Sequence, residues 1–187
     1  MLSAFAPFIV FAVLARALGI KGGLALGALV SAGMLAYGAL VRKRGFKALE
    51  VGTLVLFAGL AAYAFFGNGQ WPILVVRLWV DCGLLLITLA TMAIGQPFTL
   101  QYAREHTAPE VWNQPSFVRG NYIITGAWVV AFMVMVGADL LMIYRPSVPL
   151  WVGITATVSA FMGAVHFTKW YTKRRRAASS QGSPTTP

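Results

Sequence analysis

The chain has 187 residues, of which 58% are hydrophobic and only 11% charged, with a mean hydropathy of +0.72. A water-soluble domain carries about 25% charged residues, so this composition excludes an ordinary soluble fold and indicates a helical membrane protein. The net charge of +10 does not argue for nucleic-acid binding, because Lys and Arg gather at the ends of apolar segments, where they set membrane orientation.

In chain order, six apolar segments are long enough to span a bilayer. They cover Ser3–Ile20, Gly22–Val41, Ala48–Phe66, Ile73–Ile94, Tyr122–Tyr144 and Val148–Tyr171. The first two are joined tightly at Lys21-Gly22-Gly23, which predicts an antiparallel hairpin. Turn residues at 67–72 and at Arg145-Pro146-Ser147 separate others. Ala15-Arg16-Ala17 resembles a signal-peptidase site, but no Lys or Arg precedes Phe5, as a cleaved leader requires.

One side of the alternating segments collects Arg42, Lys43, Arg44, Lys47, Arg104, Arg119, Lys169, Lys173, Arg174, Arg175 and Arg176; the other holds Lys21 and Arg145. This bias predicts six crossings with both termini in the cytoplasm. Residues 1–171 form the expected six-helix transmembrane domain. Residues 172–187 are basic and then rich in Ser, Thr and Pro, the composition of a disordered cytoplasmic tail. Its basic cluster suits anionic headgroups, although a topology anchor is the simpler role.

Charges inside the spans need an account, since each costs about 2.5–3.5 kcal/mol at the bilayer centre on insertion scales. Arg77 and Asp81 stand four residues apart on the fourth segment, Asp139 lies near the outer end of the fifth, and Arg16 near the outer end of the first. At 1.5 Å per residue, Arg16, Arg77 and Asp139 fall about 6–8 Å below the outer boundary, with Asp81 one turn deeper. Two readings follow: a balanced ion-pair cluster that fixes helix packing, or a polar cavity for protons, ions or a polar substrate. Glu50 sits at the inner edge of the third segment beside Lys47, where it could reach headgroups.

No catalytic, cofactor or metal site is legible. His106 and His166 have no second ligand one helical turn away. Cys82 is the only cysteine, so it forms no intrachain disulfide. Rows of small residues (Gly23, Gly27, Ser31; Ala156, Ala160, Ala164) allow close helix approach, within one chain or in a homo-oligomer.

The longest polar run outside the tail connects the fourth and fifth segments. Pro97 and Thr99 can open a short helix with Thr99 as N-cap, setting Phe98 and Tyr102 one turn apart. Pro109 can open a second turn that points Val111 and Trp112 at apolar surroundings, ended by Pro115 and Gly120. The expectation is an amphipathic segment on the cytoplasmic membrane surface, with Pro97, Phe98, Gln101, Tyr102, Arg104, Trp112 and Asn121 as a candidate interface.

Several residues carry a resemblance: the opening Phe5-Ala6-Pro7-Phe8-Ile9-Val10-Phe11, the basic Arg42-Lys43-Arg44, then Gln96-Pro97-Phe98-Thr99-Leu100-Gln101, Val111-Trp112, Asn121 and Trp128. In order and spacing they resemble the bacterial intracellular septation protein A family. Arg16, Asp81, Asp139 and the long tail depart from that pattern. The resemblance implies an all-α, polytopic, non-enzymatic protein of the bacterial inner membrane. It would serve cell division and envelope maintenance through contacts with other membrane proteins. The alternative left open by the charges is a small transporter or lipid-handling protein.

Overall fold

The computed structural model describes residues 2–41, 45, 47–67 and 71–181. Among them the chain is all-helical: α1 (Ala6–Leu40), α2 (Ala48–Phe66), α3 (Ile73–Ala93), the short α4 (Phe98–Arg104), α5 (Pro115–Tyr144) and α6 (Leu150–Gln181). Short 3-10 turns cover Leu2–Phe5 and Pro109–Val111. Five helices are long and apolar enough to cross a membrane: all but α4. The basic run Arg42–Arg44, most of the turn after α2 and the last six positions of the expected tail lie outside the described residues.

Where six separate segments are expected, the first two fall within the 35 residues of α1, whose helical backbone is broken at a single position. Straight, it would reach about 52 Å, against a hydrocarbon core of about 30 Å. It is not straight. Gly19 adopts φ 73°, ψ 172°, a conformation that only glycine takes without strain. A Cβ added to Gly23 would stand 2.9 Å from Ala15 Cβ and 3.0 Å from Ala15 Cα. Eight residues along a straight helix would be about 12 Å apart. The chain therefore reverses at Gly19, and residues 6–18 and 20–40 run side by side. The turn comes before the expected Lys21-Gly22-Gly23, because Gly19 supplies the positive φ, while Gly23 supplies the close approach.

The buried row Gly23, Gly27 and Ser31 faces inward. Gly27 has a specific reason to lack a side chain: its Cβ would lie 2.6 Å from the Phe57 ring of α2. Phe8 and Phe11 also pack on that ring, at 5.1 and 5.8 Å between centroids. With Leu24, Val76 and Val80 they form one core cluster.

A second cluster lies among α3, α4, α5 and α6 and is filled by rings. Trp128 is its centre, stacked on Phe5 at 4.8 Å and edge-on to Phe161 at 5.4 Å and Phe98 at 6.3 Å. Its indole N–H donates to Thr168 Oγ1 at 3.1 Å, which satisfies the one polar atom that burial would orphan. Leu2–Phe5 thus forms a plug that carries Phe5 into the bundle.

Two boundaries differ from expectation. α5 begins at Pro115, not near Tyr122, because Pro115 occupies the first turn, where a missing N–H costs nothing. α6 continues past Tyr171 to Gln181, so residues 172–181 extend the helix where a disordered tail is expected. Arg175 packs over Gly120 of α5, a contact that holds the extended end against the bundle.

The exterior is apolar. Ile9, Val13, Leu29, Val55, Leu86, Val130 and Val158 are each more than half exposed. In water so much apolar surface would drive association; in lipid it is the solvated face. Length, hydropathy and exterior together are those of a membrane-embedded helical protein.

Candidate functional site

Three helices meet at one intramembrane cluster. Arg77 of α3 places Nη2 3.1 Å from Asp139 Oδ1 of α5. The same nitrogen donates to Thr157 Oγ1 of α6 at 3.3 Å. Asp81, one turn along α3, brings its carboxyl within hydrogen-bonding reach of Asp139. Asp139 is fully buried and Asp81 nearly so, at 7% exposed. The i, i+4 spacing of Arg77 and Asp81 puts both on the face that α5 covers.

Arg16 is not part of this group. It is exposed and makes no ion pair among the described residues. α1 packs on α2, whereas Asp139 lies between α5 and α3. Lying three residues before the reversal at Gly19, Arg16 is short of the helix end and free to extend toward a headgroup level. The expected balance of two bases and two acids is therefore one base, Arg77, against Asp81 and Asp139. Thr157 is not legible as a member of this group in the sequence, because a threonine in an apolar helix carries no signal of its own.

A second polar group closes the opposite end of the bundle, where α2 begins, α3 ends and α5 begins. Gln101 Oε1 accepts the backbone N–H of Ala48 at 2.8 Å, and its Nε2 donates to Gln96 O at 3.1 Å. Gln101 thereby satisfies one of the open N–H groups of α2. Lys47 Nζ stands 2.7 Å from Glu105, 3.7 Å from Glu50 and 3.9 Å above the Tyr102 ring. Tyr102 donates to Glu50 at 3.3 Å. Lys47 and Glu50 are buried, at 3% and 8% exposed, so Glu50 does not reach headgroups. Buried charges of this kind persist only when paired.

Thr99 is not the N-cap of α4; Pro97 holds that position. Thr99 is instead buried, donating to Asn121 O at 2.9 Å and sharing a hydrogen bond with Thr125 at 2.7 Å. Phe98 is completely buried and its N–H donates to Thr91 Oγ1. Asn121 donates to Phe117 O. Arg104 lies over the Trp112 ring at 5.7 Å, and Trp112 donates to Thr107 O at 3.0 Å. So α4 is tucked into the end of the bundle and does not lie flat on a surface. Residues 105, 106, 108–110 and 113–116 are left exposed beneath it.

Two hollows lie away from the Arg77 cluster. One, of about 10 Å³, is bounded by Ala4, Pro7, Ser31, Met34, Glu50 and Thr53, room for about one water. The other is an open groove on α6 lined by Thr168, Lys169, Thr172 and Lys173. His106 and His166 are both exposed, Cys82 is a free, half-buried thiol, and no group of three metal-ligating side chains forms among the described residues.

Compared with models of known families, with curated proteins and with solved structures, the chain matches none.

Proposed function

We propose that the chain is a six-crossing protein of the bacterial cytoplasmic membrane, with both termini in the cytoplasm. In this reading it is not an enzyme and acts by holding other inner-membrane proteins of the envelope or the division septum. The reversal at Gly19 supports two crossings within the segment 2–40: residues 20–40 reach about 32 Å, and residues 6–18 together with the Leu2–Phe5 turn ahead of them reach about 28 Å, each close to the thickness of the hydrocarbon core. The Lys and Arg bias supports the orientation. The resemblance to the septation protein A family supports the envelope role.

The observation that carries the contact role is the fixed connector. Gln101 and Tyr102 tie α4 to α2, Thr99 ties it to α5 and the Phe98 N–H ties it to Thr91 of α3, so the exposed run that follows is presented on a rigid support, and a pre-set surface binds at a lower entropic cost. Photo-crosslinking from His106 or Glu110 is the test. An adduct with a division or envelope protein is expected, and it should weaken in Gln101→Ala. Recovery of the chain alone from both positions overturns the reading.

A second reading, a small transporter or lipid-handling protein, is favoured by one observation: two carboxyls face a single guanidinium. Intramembrane acids without a matching base are typical of ion and proton paths. It requires that Asp81→Asn or Asp139→Asn abolish function while the protein still accumulates and inserts. Full function in both variants removes it.

A further inference from the structure

We infer that Asp81 and Asp139 bind one proton between them, as a carboxyl–carboxylate pair held beside Arg77. The argument starts from Asp139. Its side chain has no exposure, and neither of its oxygens receives a well-aligned hydrogen bond. A fully buried carboxylate without donors is among the costliest arrangements a core can contain. Arg77 at 3.1 Å supplies charge to Oδ1, but its hydrogen bond goes to Thr157. The other group in reach is the Asp81 carboxyl, which as a carboxylate is an acceptor too.

Two acceptors face to face repel, and one proton converts them to donor and acceptor. Charge counting gives the same answer. α3 brings Arg77, Asp81 and the neutral Cys82; α5 brings Asp139; α6 brings only the Thr157 hydroxyl. The hairpin's Arg16 is exposed and unpaired among the described residues, and the Lys47–Glu50 group closes the opposite end of α2. One guanidinium and two carboxylates leave a net negative charge in hydrocarbon, and one bound proton removes it. A metal cation fits poorly. Oxygen-binding cations take six or more oxygens or keep several waters, whereas this cluster offers two carboxyls and a hydroxyl, with a guanidinium already against one carboxyl.

Asp81 and Asp139 are the only aspartates in the sequence, so carboxyl-13C aspartate labels this site alone. Infrared spectra of the full-length labelled protein in lipid nanodiscs at neutral pH should show one protonated carboxyl and one carboxylate. In Asp81→Asn the acid band should vanish, because Asp139 alone is balanced by Arg77. A wild-type spectrum with carboxylate bands only overturns the inference, as does an acid band that survives Asp81→Asn. Carboxylate bands that shift when sodium is replaced by choline assign a metal ion instead. If Asp81→Asn does not accumulate, the wild-type spectrum decides, together with its titration: a shared proton requires both labelled bands to change in one step. The inference concerns the same cluster as the transporter reading but does not rest on transport. Absence of proton flux in vesicles would remove proton transport as the cluster's task and leave the shared proton standing.

Discussion

Arg77 joins α3 to Asp139 on α5 and Thr157 on α6, so its loss should be felt well beyond its own helix. Arg77→Ala strands the Asp139 carboxylate and is expected to cost about 3 kcal/mol, measured by thermal or denaturant unfolding in detergent. Replacing the pair with apolar residues of similar size, Arg77→Met with Asp139→Leu, should recover most of that loss, because removing both charges is far cheaper than orphaning one. A double variant as unstable as the single one would show that the ion pair is not what Arg77 contributes. At this scale the sequence revealed Arg77, Asp81 and Asp139, because charges are conspicuous among apolar neighbours and residue spacing gives their depth. It misplaced Arg16, because depth is one coordinate of three. Which way a side chain points around its helix depends on the neighbours, and α1 chose α2. Glu50 looks wetted in the sequence for a similar reason: its cover, Tyr102, comes from far along the chain.

The elements were legible wherever length and hydropathy decide them, and less so at their joints. The hairpin was expected from two adjoining apolar segments, but the reversal belongs to Gly19 and not to the more obvious Gly22-Gly23 pair. Local sequence does not say which glycine takes the positive φ and which admits a neighbour. Gly19→Ala should therefore cost about 1–3 kcal/mol through backbone strain. There is open space around its Cβ, so packing contributes nothing to that loss. Gly33→Ala, also in open space but on ordinary helical backbone, is the control and should be neutral or slightly stabilising. Equal behaviour of the two in unfolding experiments would contradict the reversal at Gly19. The helical pieces of the connector are legible at Pro97 and Pro109, but its polar residues suggest a surface. Thr99, Gln101 and Tyr102 are polar because they bond to buried backbone and to Glu50, a use that composition cannot distinguish from exposure to water.

For the whole molecule, the decisive quantity is the parity of crossings. If α1 crosses twice, reporters fused before Phe5 and after Arg175 should lie on the same side of the membrane, both shielded from an impermeant external reagent in intact cells. Reporters on opposite sides would mean that α1 crosses once and would reassign every loop after it. The apolar exterior and the two polar groups at opposite ends of the bundle are independent of that outcome. The position of Phe5 bears on how such a chain is made. Its ring rests between Trp128 and Phe161, partners that a ribosome produces long after it. The opening residues must therefore wait, unsealed, while the later helices enter the bilayer, and the bundle closes like a ring whose clasp was forged first. A chain stalled before α6 would leave that clasp open, with aromatic surface available to the membrane's quality-control proteases.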